Sequence, residues 1–263
     1  RQFAPDGDPK GLPVSWGFRP DPVIPIPSGA PVVPRLGGQH RLEDARVIAT
    51  LPHLLPEDAN VLIRAARSYQ EAMWIADVTP ELTWLMLVSA VETAAHAWRA
   101  KKDPPLDRLR FGMPKLAKLL DSRDDPAFTA EVSRLIADYV GATENFCDFV
   151  LEFLPDAPES RPPPFAQHVW KPDAFRKSLK IVYDYRSRAL HGGRPFPAPM
   201  CYPPMRVGDP EEHVEVPFAM GVGASFWQAE DAPIHLNTFE YLARRALLGW
   251  WHWMAEAHVN DEH

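Results

Sequence analysis

Arg186 and His191 are the two residues whose types and spacing best suit chemistry. A guanidinium is a fixed cation whose planar donors match phosphate oxygens. An imidazole can take up and release a proton near neutral pH. Both lie in residues 171–194, where Lys171, Arg176, Lys177, Lys180, Arg186, Arg188 and Arg194 stand against Asp173 and Asp184. That stretch carries +5 within a chain of −7, so positive charge is focused there, as an anionic ligand requires. Arg186 shares a helical stripe with Phe175, Leu179, Val182, Tyr183, Ala189 and Leu190. A charge on an apolar face needs a partner or a function. His191 falls at the C-terminal end of the same helix. There the helix dipole favours the imidazolium form and the neighbouring arginines oppose it, a balance suited to proton transfer. Lys180, Arg188 and Arg194 would add phosphate contacts, and Ser187, next to Arg186, can hydrogen-bond.

Other clusters yield less. Glu92 and His96 lie four residues apart on one helix face. They lack a third ligand for a metal, and Glu92 is better placed as a supporting partner of Arg186. No metal or cofactor is expected. Asp138, Glu144 and Asp148 share an amphipathic helix with Phe146, Phe149, Val150 and Phe153, and no spacing rule singles them out. His252 and His258 stand among Trp250, Trp251 and Trp253, a pattern of helix packing with a solvated edge. The aromatics could stack on bases, but core or dimer packing is the simpler use. Glu211-Glu212-His213 reads as an exposed loop.

The elements that must position Arg186 and His191 are helices. Apolar periodicity predicts a helix over 57–76 and a second over about 80–101, opened by Thr79-Pro80-Glu81 and apolar nearly all round. A short helix is expected over 114–120. Another opens at Asp125-Pro126 and runs to about 154 with a break near Gly141. The helix carrying Arg186 spans about 172–190 and stops at Gly192-Gly193. Residues 194–234 read as an irregular insertion with strand candidates at 214–217 and 223–227, placed either as a lid or over a bundle edge. A last helix covers about 236–257. Thirty prolines are roughly twice the usual share, and they cluster at 5–34, 155–172 and 195–217. They separate helices rather than interrupt them. Residues 1–40, rich in Pro and Gly, read as an N-terminal arm preceding a helical domain over 41–263. The expected class is an all-α bundle with long Pro-rich loops and a small β-hairpin insertion.

Composition narrows the function further. The longest apolar uncharged runs are half the length that a membrane span needs. No signal peptide is visible, so a cytoplasmic protein without membrane partners is expected. Two cysteines, Cys147 and Cys201, cannot build a disulfide scaffold or a structural zinc site. The net charge argues against a protein coated with basic residues for duplex DNA but leaves room for a small basic site.

The run Tyr183-Asp184-Tyr185-Arg186-Ser187-Arg188-Ala189-Leu190-His191-Gly192-Gly193 resembles the signature helix end of HEPN domains, an Arg, four residues, then His. Its wording is similar to the Apea-like branch, as is Leu87-Val88-Ser89-Ala90-Val91-Glu92. With the terminal helix the likeness covers about 57–257. The resemblance implies a helical bundle that dimerises through the 172–191 helix and forms a composite cleft with Arg and His from both protomers. It implies a metal-independent endoribonuclease of a bacterial defence or toxin-type system, acting on single-stranded RNA, with an antitoxin or defence-system protein as a further partner. Arg186 and His191 would be the catalytic pair. Active members often carry Asn, Asp or His where this chain has Ser187. Two other readings remain open: an inactive module of the same fold that binds nucleic acid or nucleotide, and an all-α scaffold in which Arg186 and His191 hold helices together.

Overall fold

The structure is a computed structural model that describes residues 29–37, 42–208, 212–218, 220–222 and 225–261. The chain divides into residues 1–30 and 31–263. Most of the expected arm lies outside the described residues. Of the part described, Val32 and Val33 are buried in the core of the larger unit, and the Val32 N–H donates to Asp77 Oδ1 at 2.7 Å.

The larger unit is all-α, with nine α-helices among the described residues. They are α1 (Pro56–Ile75), α2 (Pro80–Lys102), α3 (Pro105–Gly112), α4 (Pro114–Asp121), α5 (Pro126–Ile136), α6 (Ala142–Glu152), α7 (Pro172–Gly192), α8 (Ala198–Cys201) and α9 (Leu236–Asp261). Seven of the nine open with proline in the first turn, where its missing N–H costs nothing. The Asp125 side chain caps α5 by accepting from Phe128 N–H at 3.0 Å. Thr79, expected to cap α2, makes no side-chain cap bond. Gly141, at φ 72°, breaks the long helix expected over 126–154 into α5 and α6. Gly193, at φ 61°, ends α7 in the left-handed conformation, with its N–H bonded to the Arg188 carbonyl.

Helix α2 is the central element, packed by α1, α6, α7 and α9. Trp84, Leu87, Val88, Ala90, Val91 and Ala94 are wholly buried along it. Burial is not uniform, since Leu82 in its first turn is exposed. Trp84 lies between Phe196 and Phe239, with ring centroids 5.1 and 4.9 Å away, and donates its indole N–H to the Met200 carbonyl at 3.1 Å. Helices α3, α4 and α5 form a satellite with its own small core of Leu109, Ala117 and Leu120.

The 194–234 segment is irregular but not peripheral. Phe196, Met200, Cys201, Val214, Glu215 and Ile234 are all buried. Its hairpin pairs β1 (Met220–Val222) with β2 (Ser225–Trp227) antiparallel. Residues 214–217 form no strand; beside them is a single bridge between Arg206 and His213. The side chains that it buries anchor the described parts of this segment on the bundle. Among the described residues, no helix is long and apolar enough to cross a membrane.

Candidate functional site

Helix α7 presents Phe175, Leu179, Val182 and Tyr183 to the core, and Arg186 continues that face. The guanidinium solves its burial problem across the helix pair: Arg186 Nη2 donates to Glu92 Oε2 on α2 at 2.6 Å. The other Glu92 oxygen accepts from the Tyr183 hydroxyl, also at 2.6 Å. Tyr183 is anchored in turn, its ring 5.3 Å from that of Phe146. Burial, followed by the hydrogen bond to Glu92, pushes the Tyr183 phenol well above its ordinary range, so it stays a neutral donor. Arg186 keeps 21% of its side-chain surface exposed and Glu92 20%. The Arg186 Nε is buried without a hydrogen-bond partner. The guanidinium is therefore fixed at one nitrogen, with further donors near an opening.

His191 is in the last turn of α7, exposed, with no partner for its ring among the described residues. Five residues of α-helix turn the chain through about 140° and advance it about 7.5 Å from Arg186. Within one α7, His191 therefore lies on the solvent side with Lys180, Asp184 and Arg188, while Arg186 lies toward the core. Ser187 is half-buried between the two directions. Leu190, expected on the buried stripe, is 52% exposed, because the stripe runs off the bundle and only Ala189 still packs on the core beyond Arg186.

The focused positive charge is largely spoken for. Arg176 pairs with Glu144 and Asp148 of α6 at 3.3 and 2.7 Å, and Lys180 pairs with Glu144 at 2.7 Å. Those bonds raise both basic groups above their ordinary values. Arg188 pairs with Asp184 one turn away, both well exposed, an arrangement worth little in water. Lys171, Lys177 and Arg194 make no ion pair among the described residues. The acidic residues on α6, which no spacing rule singled out, thus act as counter-ions for α7.

Glu92 and His96, one turn apart on α2, go to different partners. His96 stands 3.9 Å from Asp138, which Arg108 contacts at 2.9 Å. Among the described residues, no three His, Cys, Asp or Glu side chains gather as a metal-binding group. Cys147 and Cys201 are buried free thiols. Burial first and Glu144 second push the Cys147 thiol up to about 12, so it is no nucleophile. His252 is exposed on α9, and Trp253 is 39% exposed beside the buried Trp250. The side chain of His258 and residue Glu211 lie outside the described residues, and Glu212 and His213 are half-buried.

A second polar cluster had no sequence signal. Arg161 clasps Glu215 with two bonds of 2.8 and 2.7 Å, and Glu215 also accepts the backbone N–H of His168 at 2.7 Å. The His168 ring, stacked on Phe175, is 2.8 Å from the Ser178 hydroxyl. Serine, histidine and carboxylate are all present, but the carboxylate holds the histidine backbone rather than its ring, and all three are buried. The cluster fastens loops to α7 and α9. An open groove of about 590 Å³, bordered by Arg67, Trp74, Leu82 and Met86, lies on α1 and α2 and includes none of the residues nominated by sequence. Compared with known protein families, curated proteins and solved structures, the chain finds no match.

Proposed function

We propose that this protein is a metal-independent endoribonuclease acting on single-stranded RNA as a homodimer paired through α7. The observation that carries the reading is the Arg186 guanidinium, held at one edge by Glu92 and partly open, on the helix that ends in an exposed His191. The resemblance of this helix end to HEPN domains, in the Apea-like branch, supplies the reaction class.

In that reaction His191 takes the proton from a ribose 2′-hydroxyl. The 2′-oxygen attacks the adjacent phosphorus, and the bond to the 5′-oxygen breaks. The departing 5′-oxygen takes a proton from solvent water and His191 returns its own to solvent, leaving a 2′,3′-cyclic phosphate and a 5′-hydroxyl. Arg186 stabilises the charge that builds on the phosphoryl oxygens. Its placement about 140° from His191 on one helix fits a cleft in which each Arg186 works beside the His191 of the other copy. Arg194 and Arg188, on the outer side of the helix end, are placed to meet flanking phosphates, and Lys180 could join them by leaving Glu144. A defence or toxin role with a partner protein follows from the resemblance alone.

The test is cleavage of end-labelled single-stranded RNA in excess EDTA, wild type beside His191→Ala. The reading expects cleavage by wild type alone, with cyclic phosphate ends and no cutting of DNA. A second reading, an inactive module that binds RNA or nucleotide, is favoured by the ion pairs that already occupy Arg176, Lys180, Arg186 and Arg188. It prevails if both proteins bind RNA and neither cuts.

A further inference from the structure

We infer that Tyr183 is a positioning residue for Arg186, acting through Glu92. The inference rests on the nuclease reading and gives a role to a residue that the sequence places on the apolar stripe without a chemical task. Arginine is long and flexible, and fixing it for a phosphate costs conformational entropy unless the protein has fixed it already. Here one carboxylate does so. Its two oxygens are divided between two donors on the same face of α7, Tyr183 and Arg186, three residues and so nearly one turn apart.

The phenol is the rigid end of this chain. Tyr183 is only 8% exposed, packed on Phe146, and rooted between α2 and α6. Glu92 is the movable link, one-fifth exposed and held at both oxygens. If the phenol bond is lost, the carboxylate gains a rotamer and an unfilled acceptor, and Arg186 loses the orientation of its tether. The electrostatics agree with this division of roles. The Tyr183 hydroxyl remains a proton donor at any working pH because burial and the Glu92 charge both disfavour its ionised form. The second carboxylate oxygen is thus kept occupied without adding charge near the phosphate. The Arg186 guanidinium carbon also lies over the Tyr183 ring, 5.6 Å from its centroid, so the charged head itself faces the same side chain.

The test is a double-mutant cycle on RNA cleavage with Tyr183→Phe, Arg186→Ala and the double variant. Tyr183→Phe keeps the ring against Phe146 and deletes one hydroxyl. It is expected to lower kcat about tenfold while KM for RNA stays within about twofold, because the loss falls on transition-state positioning. In the Arg186→Ala background the same substitution is expected to change the residual cleavage less than twofold. A purely structural Tyr183 would give equal cleavage losses in both backgrounds, and that result overturns the inference while leaving the nuclease intact. Wild-type cleavage retained in full by Tyr183→Phe overturns it as well. Absence of cleavage by wild type overturns the nuclease reading and the inference with it.

Discussion

At the scale of the residue, the decisive quantity is how each buried polar group finds a partner. Arg186 meets Glu92, Glu215 meets Arg161, and Glu240, wholly buried, accepts from Tyr69 and from Arg244. Single atoms are still left over, among them Arg186 Nε, Glu240 Oε2 and a ring nitrogen of His235. His235 is 6% exposed, its Nδ1 has no partner, and burial pulls its imidazole down to about 4. An ordinary histidine in the unfolded chain titrates near 6.5. The folded state therefore resists the proton that the unfolded state accepts. The contribution to stability is whole above about pH 6.5 and fades as the pH falls toward about 4, by roughly 2–3 kcal/mol in all. His168 is lowered in the same direction, again by burial first, and adds to the slope. Melting temperatures between pH 4 and 7 should fall steeply for wild type and less steeply for His235→Gln. Parallel curves for the two proteins would remove His235 from the account.

At the scale of the element, α7 shows what a sequence can announce. Its start at Pro172, its end at Gly192-Gly193 and the place of Arg186 on its inner face were all readable from residue types at 3.6-residue spacing. The two glycines then separate in the structure. Gly192 is the last helical residue with open space where a Cβ would go, whereas Gly193 has φ 61°. Gly192→Ala should be neutral or raise stability by up to about 1 kcal/mol, and Gly193→Ala should lower it by about 1 kcal/mol. Denaturant midpoints of the two variants should move in opposite directions or differ by that margin. Less was legible where the partner is distant in sequence. Nothing near Arg176 or Lys180 announces that Glu144 and Asp148 will neutralise them, because helix periodicity describes one helix and says nothing of which helix faces it. The same blindness hid Tyr183, whose hydroxyl matters only because Glu92, 91 residues away, stands opposite. The four-residue α8 was missed because it is too short for an apolar period to repeat, and α3, as long as α4, because Asp107, Arg108 and Arg110 interrupt its apolar residues. The 3-10 segment over 42–53 has a different repeat altogether.

At the scale of the whole molecule, a few long-range polar bonds fasten the loops to the helices around the apolar core. Arg161–Glu215 is the strongest case, since it ties residues 161–168 to the segment before α9, whose His235 N–H and Thr238 hydroxyl also reach the Glu215 carbonyl. Arg161→Met would leave Glu215, only 5% exposed, as an unpaired buried charge, so stability should drop by about 3–5 kcal/mol. Adding Glu215→Gln should restore much of it, measured by chemical denaturation.

The geometry of α7 makes a larger demand on the assembly. Arg186 and His191 of one straight helix diverge by about 140°, so within one protomer they start from different sides of α7 and are poorly placed to share a phosphate. In the proposed homodimer two antiparallel copies of the helix end remove that obstacle, since each copy offers its His191 to the other's Arg186. The exposed Leu190 is the apolar residue on hand for the contact between them. Arg186→Ala and His191→Ala should each cut cleavage alone by about a hundredfold or more, to a small residue that is still measurable. Mixed in equal amounts after dissociation and reassembly, half the dimers would be mixed, and each would hold one intact Arg–His pair of two. Cleavage should return to about one quarter of wild type. If Arg and His of the same chain form the working pair, the mixture stays at the residual rate of the single variants, and the composite cleft is wrong even where RNA is cut.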